Sequence, residues 1–219
     1  MPAGSGKAIG PGLENVRVLP TQSELGSARR VLAVASIALA LGGCLAERPN
    51  ATFDLAAAQG FQGRAASGKG VLVVAEPTAI QTIDSQSMVV RSGDQVSYVP
   101  GSQWSDRLPK LLQTRIVQSF ENAGRIGSVG RSDDRLSGDY QLLTDIRTFE
   151  INAGGGAQAR VEIAAKIVST RDGRVLSGRV FSAQAPAGGA INGSSASSSL
   201  DRALSQVLSE LVGWASGIV

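Results

Sequence analysis

The 219-residue chain predicts an α+β fold, with a mostly antiparallel sheet and two amphipathic helices on one of its faces. Two long segments, Tyr140–Ile151 and Gln158–Thr170, read as neighbouring strands around Asn152-Ala153-Gly154-Gly155-Gly156. A third, Val175–Gln184, follows the tight turn Arg171-Asp172-Gly173-Arg174. One helix-period stripe precedes this meander and another follows it, an order that gives α+β layering. With 42% hydrophobic but only 4% aromatic residues, the core is expected to be aliphatic.

Residues 1–43 stand apart from this domain as an extension and an export signal. Arg29-Arg30 precede the uncharged run Val31–Leu41, and Gly42-Gly43-Cys44 follow it. This is the order of a positive n-region, an apolar h-region and a small-residue cleavage site. A membrane span needs about 20 apolar residues, so the run is too short for one. The other reading is a buried core helix with an ordinary buried Cys. The position of the single Cys, just after two glycines at the end of the run, favours the signal. The first 28 residues, with Pro2, Gly4, Gly10, Pro11, Gly12 and Pro20, lack sustained periodicity. A translation start nearer Arg29 is favoured over an unusually long n-region.

Leu41-Gly42-Gly43-Cys44 resembles the bacterial lipobox, whose Cys is acylated with diacylglycerol, becomes the new N-terminus and is then N-acylated. Several fatty chains, palmitate among them, hold stably where one would be marginal, at about 0.8 kcal/mol per buried methylene. Cys44 is the expected lipidation site. By resemblance to the lipoprotein sorting rule, Leu45 in place of Asp points to the outer membrane.

Residues 44–69 read as a lipidated flexible tether, with Phe53-Asp54-Leu55 as a candidate edge strand. The domain is expected over 70–216. Val71–Ala75 is a short β-branched run closed by Glu76-Pro77. Met88–Arg91 and Gln95–Val99 flank Ser92-Gly93-Asp94, where Gly supplies the positive φ of a hairpin turn. The first helix is expected from an N-cap at Ser105, with Asp106 in its first turn and Pro109 at the fourth position. Leu108, Leu111, Leu112, Ile116, Phe120 and Ala123 form its stripe, and Gly124 stops it. Ile126–Val129 is a further strand. In Gln158–Thr170, Val161, Ile163, Ala165 and Ile167 alternate with Glu162 and Lys166. Residues 185–199 read as a Gly/Ser/Ala loop. The last helix then carries Leu200, Ala203, Leu204, Val207, Leu208, Leu211, Val212 and Ala215 on one face.

The chain has no His, which excludes Ser-His-Asp and Cys-His machinery and any His-ligated metal. One Cys excludes an internal disulfide. The net charge of +3 shrinks to +1 from Cys44 onward, where 17 basic face 16 acidic residues, so a nucleic-acid partner loses its main support. Asp133-Asp134 lie in a polar loop without further ligands and read as solvated. Ser67-Gly68-Lys69-Gly70 lacks phosphate-loop spacing. No catalytic residue, metal site or cofactor is expected.

Ile83-Asp84-Ser85-Gln86, Val89-Val90-Arg91, Tyr98, Trp104, Asp139–Leu142 and Phe149-Glu150 stand in an order and spacing that resemble the ABC-type transport auxiliary lipoproteins, the Pqi-type subunit family. Phe181 and a final helix ending at Trp214 fit the same layout. The resemblance implies a periplasmic outer-membrane lipoprotein without enzymatic activity. Its partners would be MCE-domain and ABC transporter components moving phospholipid or other lipids between membranes, and a second copy of the chain is a further candidate. A structural lipoprotein aiding outer-membrane assembly is the alternative. Arg91, Tyr98 and Trp104 are the candidate partner-binding residues. Each also has a plainer reading: Arg91 as a solvated ion pair, Tyr98 packed across the hairpin, Trp104 stapling the helix start.

Overall fold

The structure, a computed structural model, describes residues 49–61, 70–134 and 136–219. The expected signal, Cys44 and Ser67-Gly68-Lys69 lie outside the described residues. Among the described residues nine strands make one sheet organised on strand β7, Tyr140–Asn152. One edge of β7 pairs antiparallel with β8, Gln158–Ser169, which in turn pairs antiparallel with β9, Val175–Pro186. The other edge is shared by three short parallel strands. β2, Val71–Val74, lies beside Tyr140–Leu142; β3, Thr78–Ala79, beside Asp145 and Ile146; β4, Ser87–Ser92, beside Glu150–Asn152.

These three strands are successive pieces of one chain travelling along β7 in one direction. Pro77 has no N–H to give the ladder, so the run breaks between β2 and β3. The sheet is therefore mixed, and the expected mostly antiparallel arrangement is corrected. β2 also carries β6, Ser128–Arg131, in parallel, two residues later than the expected Ile126–Val129. β4 and β5, Gln95–Trp104, form the expected hairpin, with Gly93 at φ 58° in the turn. β5 carries β1, Ala51–Phe53, in parallel.

A one-residue shift lets β7 bury both of its halves. Its inward residues are Leu142, Thr144 and Ile146, then Phe149 and Ile151, with the register slipping between Ile146 and Thr148. Without the extra residue, Phe149 and Ile151 would point to solvent. They share a core with Val161, Ile163, Ala165, Ile167, Phe181 and Ala183.

Both helices bury their stripes in this core and touch each other. Helix α1 is Leu108–Ala123, and Gly124 at φ 58° stops it, its N–H bonding the carbonyls of Phe120 and Glu121. Its N-cap is Arg107, not Ser105. Ser105 is occupied elsewhere, donating its N–H to the Phe53 carbonyl at 2.8 Å and its hydroxyl to Asp54 at 3.2 Å. Pro109 consequently sits within the first two helical positions, and Asp106 lies before the helix. Helix α2, Gly193–Ala215, starts inside the expected 185–199 loop. Asn192 caps it: its side chain accepts from the Ser195 N–H at 3.0 Å, and its own N–H bonds the Ser195 hydroxyl at 3.1 Å.

The described part of the expected tether belongs to the domain. Leu55 and Ala58 are buried in the core, Ala56 N–H donates to Asp201 at 2.7 Å, and Ala58 N–H donates to the Ser119 hydroxyl at 2.9 Å. Asp54 is the hub of this attachment. It accepts from the Leu55 N–H at 2.8 Å and pairs with Arg115 at 2.6 Å. Burial pushes its carboxyl up, but the bonds from Arg115, the Leu55 amide and Ser105 outweigh it and hold the carboxyl below its ordinary 3.8.

Two predictions follow from this packing. Leu112 and Leu208 are both fully buried, so Leu112→Asp or Leu208→Asp should each lower stability by about 3 kcal/mol or more in chemical denaturation, since each strands a charge in the core. Because the folded Asp54 carboxyl is depressed, its stabilisation is complete above pH 3.8 and is lost as pH falls through the folded value. Asp54→Asn should cost about 1 kcal/mol or less at pH 7, and the gap to the wild type should close in melts only as pH falls below 3.8.

Candidate functional site

The β4–β5 hairpin presents the three residues singled out from the sequence, and the structure separates their roles. Arg91 lies near the end of β4, beside the end of β7. Its Nε donates to both carboxylate oxygens of Glu150, at 2.9 and 2.8 Å. The Glu150 side chain is 7% exposed and that of Arg91 36%, so the pair is half buried and not the solvated ion pair of the plainer reading. Arg91 neutralises a carboxylate that the sheet has taken from water, which is a structural duty. Only the remaining face of its guanidinium is open to a partner.

Trp104 is 1% exposed. Its ring meets Phe149 edge-on, with centroids 5.8 Å apart, and its backbone N–H donates to the Gln86 carbonyl at 2.7 Å. Trp104 closes β5, in register with Phe53 of β1 and shortly before α1 begins at Leu108. As a surface contact Trp104 is therefore corrected: it supports the hairpin from beneath.

Tyr98 is 50% exposed and pairs with the buried Val89 across the hairpin. It lines a shallow depression with Gln81, Thr82, Asp84 and Ser85, residues of the loop that carries the chain from β3 to β4. Ile80 in the same loop and Val96, two residues from Tyr98 and on its face of β5, are also exposed. A tyrosine with accessible aliphatic neighbours is the composition of a protein contact.

The loop is pinned from the other side by Arg107, which bonds Asp84 and, at 3.2 Å, Glu76. Sequence reasoning missed this pinning because Arg107, Asp84 and Glu76 meet only once β2, β3 and α1 are folded. A second depression, lined by Glu76, Thr78, Leu143, Asp145, Arg147, Ala164 and Lys166, opens on the outward face of β7 and β8. Within it Arg147 lies 3.7 Å from Asp145, and it also reaches Glu162 at 3.6 Å. Asp133 and Asp134 are exposed, and the Asp134 carboxylate accepts from the Arg131 N–H at 2.7 Å. Among the described residues no group of three or more His, Cys, Asp or Glu could hold a metal ion. No described helix is long and apolar enough to cross a membrane.

The chain is 31% identical over 164 residues to uncharacterized protein bll6063 of Bradyrhizobium diazoefficiens, a span of 74% of this chain and 44% of that protein. It thus covers less than half of that relative's length. Protein XCC0632 from Xanthomonas campestris has a similar crystal structure, with a TM-score of 0.70 at 28% identity over 76% of this chain and 96% of that one. The hypothetical protein CT253 from Chlamydia trachomatis shares the fold, with a TM-score of 0.51 at 9% identity over 69% of this chain and 98% of that one. The model of a family described as the ABC-type transport auxiliary lipoprotein component matches residues 53–212, from the end of β1 to the last turn of α2. Since that match takes in the central sheet and both helices, the chain belongs to the family of ABC-type transport auxiliary lipoprotein components.

Proposed function

We propose that the protein is an acylated accessory subunit of an ABC/MCE-type system that moves phospholipid or related lipids between the two membranes. In this reading Cys44 carries the acyl chains at the periplasmic face of the outer membrane, and the folded domain docks onto an MCE-domain component. The observation that carries it is the coincidence in one chain of an acylation motif ending at Cys44 and a transport-auxiliary domain that begins at Phe53. The family description names an auxiliary role, so ATP hydrolysis belongs to another chain of the system. Anchoring confines the domain near one membrane and raises its effective concentration there, which lets a modest protein affinity suffice.

Tyr98, with Ile80 and Val96 beside it, is the docking patch in this reading, and the open face of Arg91 lies on its rim. Trp104 acts through the hairpin it supports.

Two measurements test the proposal. The intact mass of the protein from its native host should show an acylated Cys44 as the first residue, and an unmodified residue 44 would defeat the anchor. A Tyr98→Ala variant with wild-type melting should keep its membrane association while its co-purification with an MCE-type component falls by about tenfold or more. Unchanged co-purification would move the docking patch elsewhere. A crosslinking pull-down that recovers no transporter component would favour a structural lipoprotein instead.

A further inference from the structure

We infer that the open edge of β9 is a self-association site, where a second copy of the chain adds its own β9 antiparallel and joins two sheets into one. Among the described residues β1, β3, β6 and β9 each pair on one side alone. The first three have three, two and four residues, too few to present a ladder, whereas β9 has 12. A long bare edge is a template for another strand, and proteins usually blunt it with Lys, Pro, a bulge or a covering element. On β9 such devices sit only at the ends. The register with β8 shifts between Ile167 and Val168, which leaves Leu176 out of step. Pro186 closes the other end, its carbonyl already accepting from Arg202 at 2.8 Å and from Ser199 at 3.1 Å. Between them Arg179 is the one charged residue, and it leans over the Phe181 ring, 5.0 Å from its centroid, toward Glu210.

The ladder fixes which backbone groups face outward. Ala187 N–H donates to the Ala157 carbonyl at 2.9 Å, and these two residues stand opposite one another next to the Gln158–Pro186 pair. Bonded and non-bonded pairs alternate along an antiparallel ladder, so Ala185, Ala183, Phe181 and Arg179 spend their backbone groups on β8. Gly178, Val180, Ser182 and Gln184 aim theirs away from it. All four are exposed, Val180 by 46%, and their side chains lie on the face opposite the buried Phe181, Ala183 and Ala185. An uncharged row of outward N–H and C=O groups is complementary to another extended backbone.

That backbone is a second β9, because the strand fits itself in one register. With a two-fold axis at Phe181, Val180 faces the partner's Ser182 and Gly178 the partner's Gln184. Every outward residue of both copies is then used, and about eight hydrogen bonds form. Arg179 faces the partner's Ala183, which keeps the two guanidinium groups apart. An axis at Arg179 would set that cation against itself. An axis at Val180 would set Gln184 against the partner's Leu176, out of step with the ladder. An axis at Ser182 would set Gly178 against the partner's Pro186, which has no N–H to give. Because the contact uses the same strand twice, it closes on itself and does not propagate. It is independent of the docking patch at Tyr98, which lies on β5.

The test uses the full chain in mild detergent with Cys44→Ala, so that introduced thiols are the only ones. Sedimentation should show a dimer that dissociates on dilution. A Val180→Cys, Ser182→Cys double variant should form a covalent dimer on mild oxidation, since directly paired residues lie within disulfide reach. Either single variant, whose thiols stand two positions out of register, should give several-fold less. Ser182→Pro should melt like the parent, because the N–H it removes points away from β8, yet it should sediment as a monomer. A parent chain that is monomeric with no crosslink in the double variant would overturn the inference and leave the edge to a strand of another protein. Equal crosslinking of the single and double variants would overturn the register, and a dimer untouched by Ser182→Pro would place self-association on another surface.

Discussion

Along one edge of β7 the hydrogen-bonding groups are shared out among three strands that are pieces of a single run, and the rest of the fold is arranged around that division. Each break in the run serves a purpose. Arg107 holds both breaks, bonding Glu76 at the first and Asp84 in the longer one before β4, and that longer break sets the hairpin beside the end of β7. On the opposite edge β8 pairs along the whole strand, which is possible because the bulge at Ile146–Thr148 restores the inward direction of Phe149 and Ile151. Phe149 then supports Trp104, and Trp104 supports the hairpin. The exposed surface around Tyr98 is in this sense an outgrowth of how one strand satisfies its backbone.

Elements with a long period were legible in the sequence. The stripes of α1 and α2 and the alternation of Val161, Ile163, Ala165 and Ile167 come from local spacing repeated over several turns or pleats, and all of those β8 residues are buried. Strand direction was not legible, because whether β2 and β4 run parallel to β7 depends on a neighbour about 60 residues away. The first turns of α2 were hidden by Gly and Ser, which favour loops on propensity alone. There the capping box and burial of Ala196 and Leu200 decide the matter. β1 was seen only in outline, since three residues carry too little pattern to separate a strand from a linker.

The candidate site divides along similar lines. That the Arg91–Trp104 stretch holds a hairpin, a tyrosine and a helix entry could be read directly from residue order. Which aromatic faces outward could not, because both Tyr98 and Trp104 occupy one strand and the large register shift between Ser87 and Val89 alters the parity that would assign them faces. Glu150 as the partner of Arg91 required knowing that β4 lies against β7. A buried carboxylate of this kind leaves no mark in a linear pattern beyond an acidic residue in an apolar strand.

The attachment of β1 also decides how the protein bears load. A pull on the chain ahead of Asn50 enters along the axis of a strand paired side by side with β5, so the interstrand bonds are strained together in shear and not opened one after another. Behind the strand, the Asp54–Arg115 pair, the Asp201 bond to Ala56 and the Ser119 bond to Ala58 lie in series with the same line of force. The rate of forced opening is set by the barrier to detaching this group as a unit. Tension on that chain thus meets first a compact clasp at the rim of the domain, which passes the load to both helices at once through Arg115, Ser119 and Asp201.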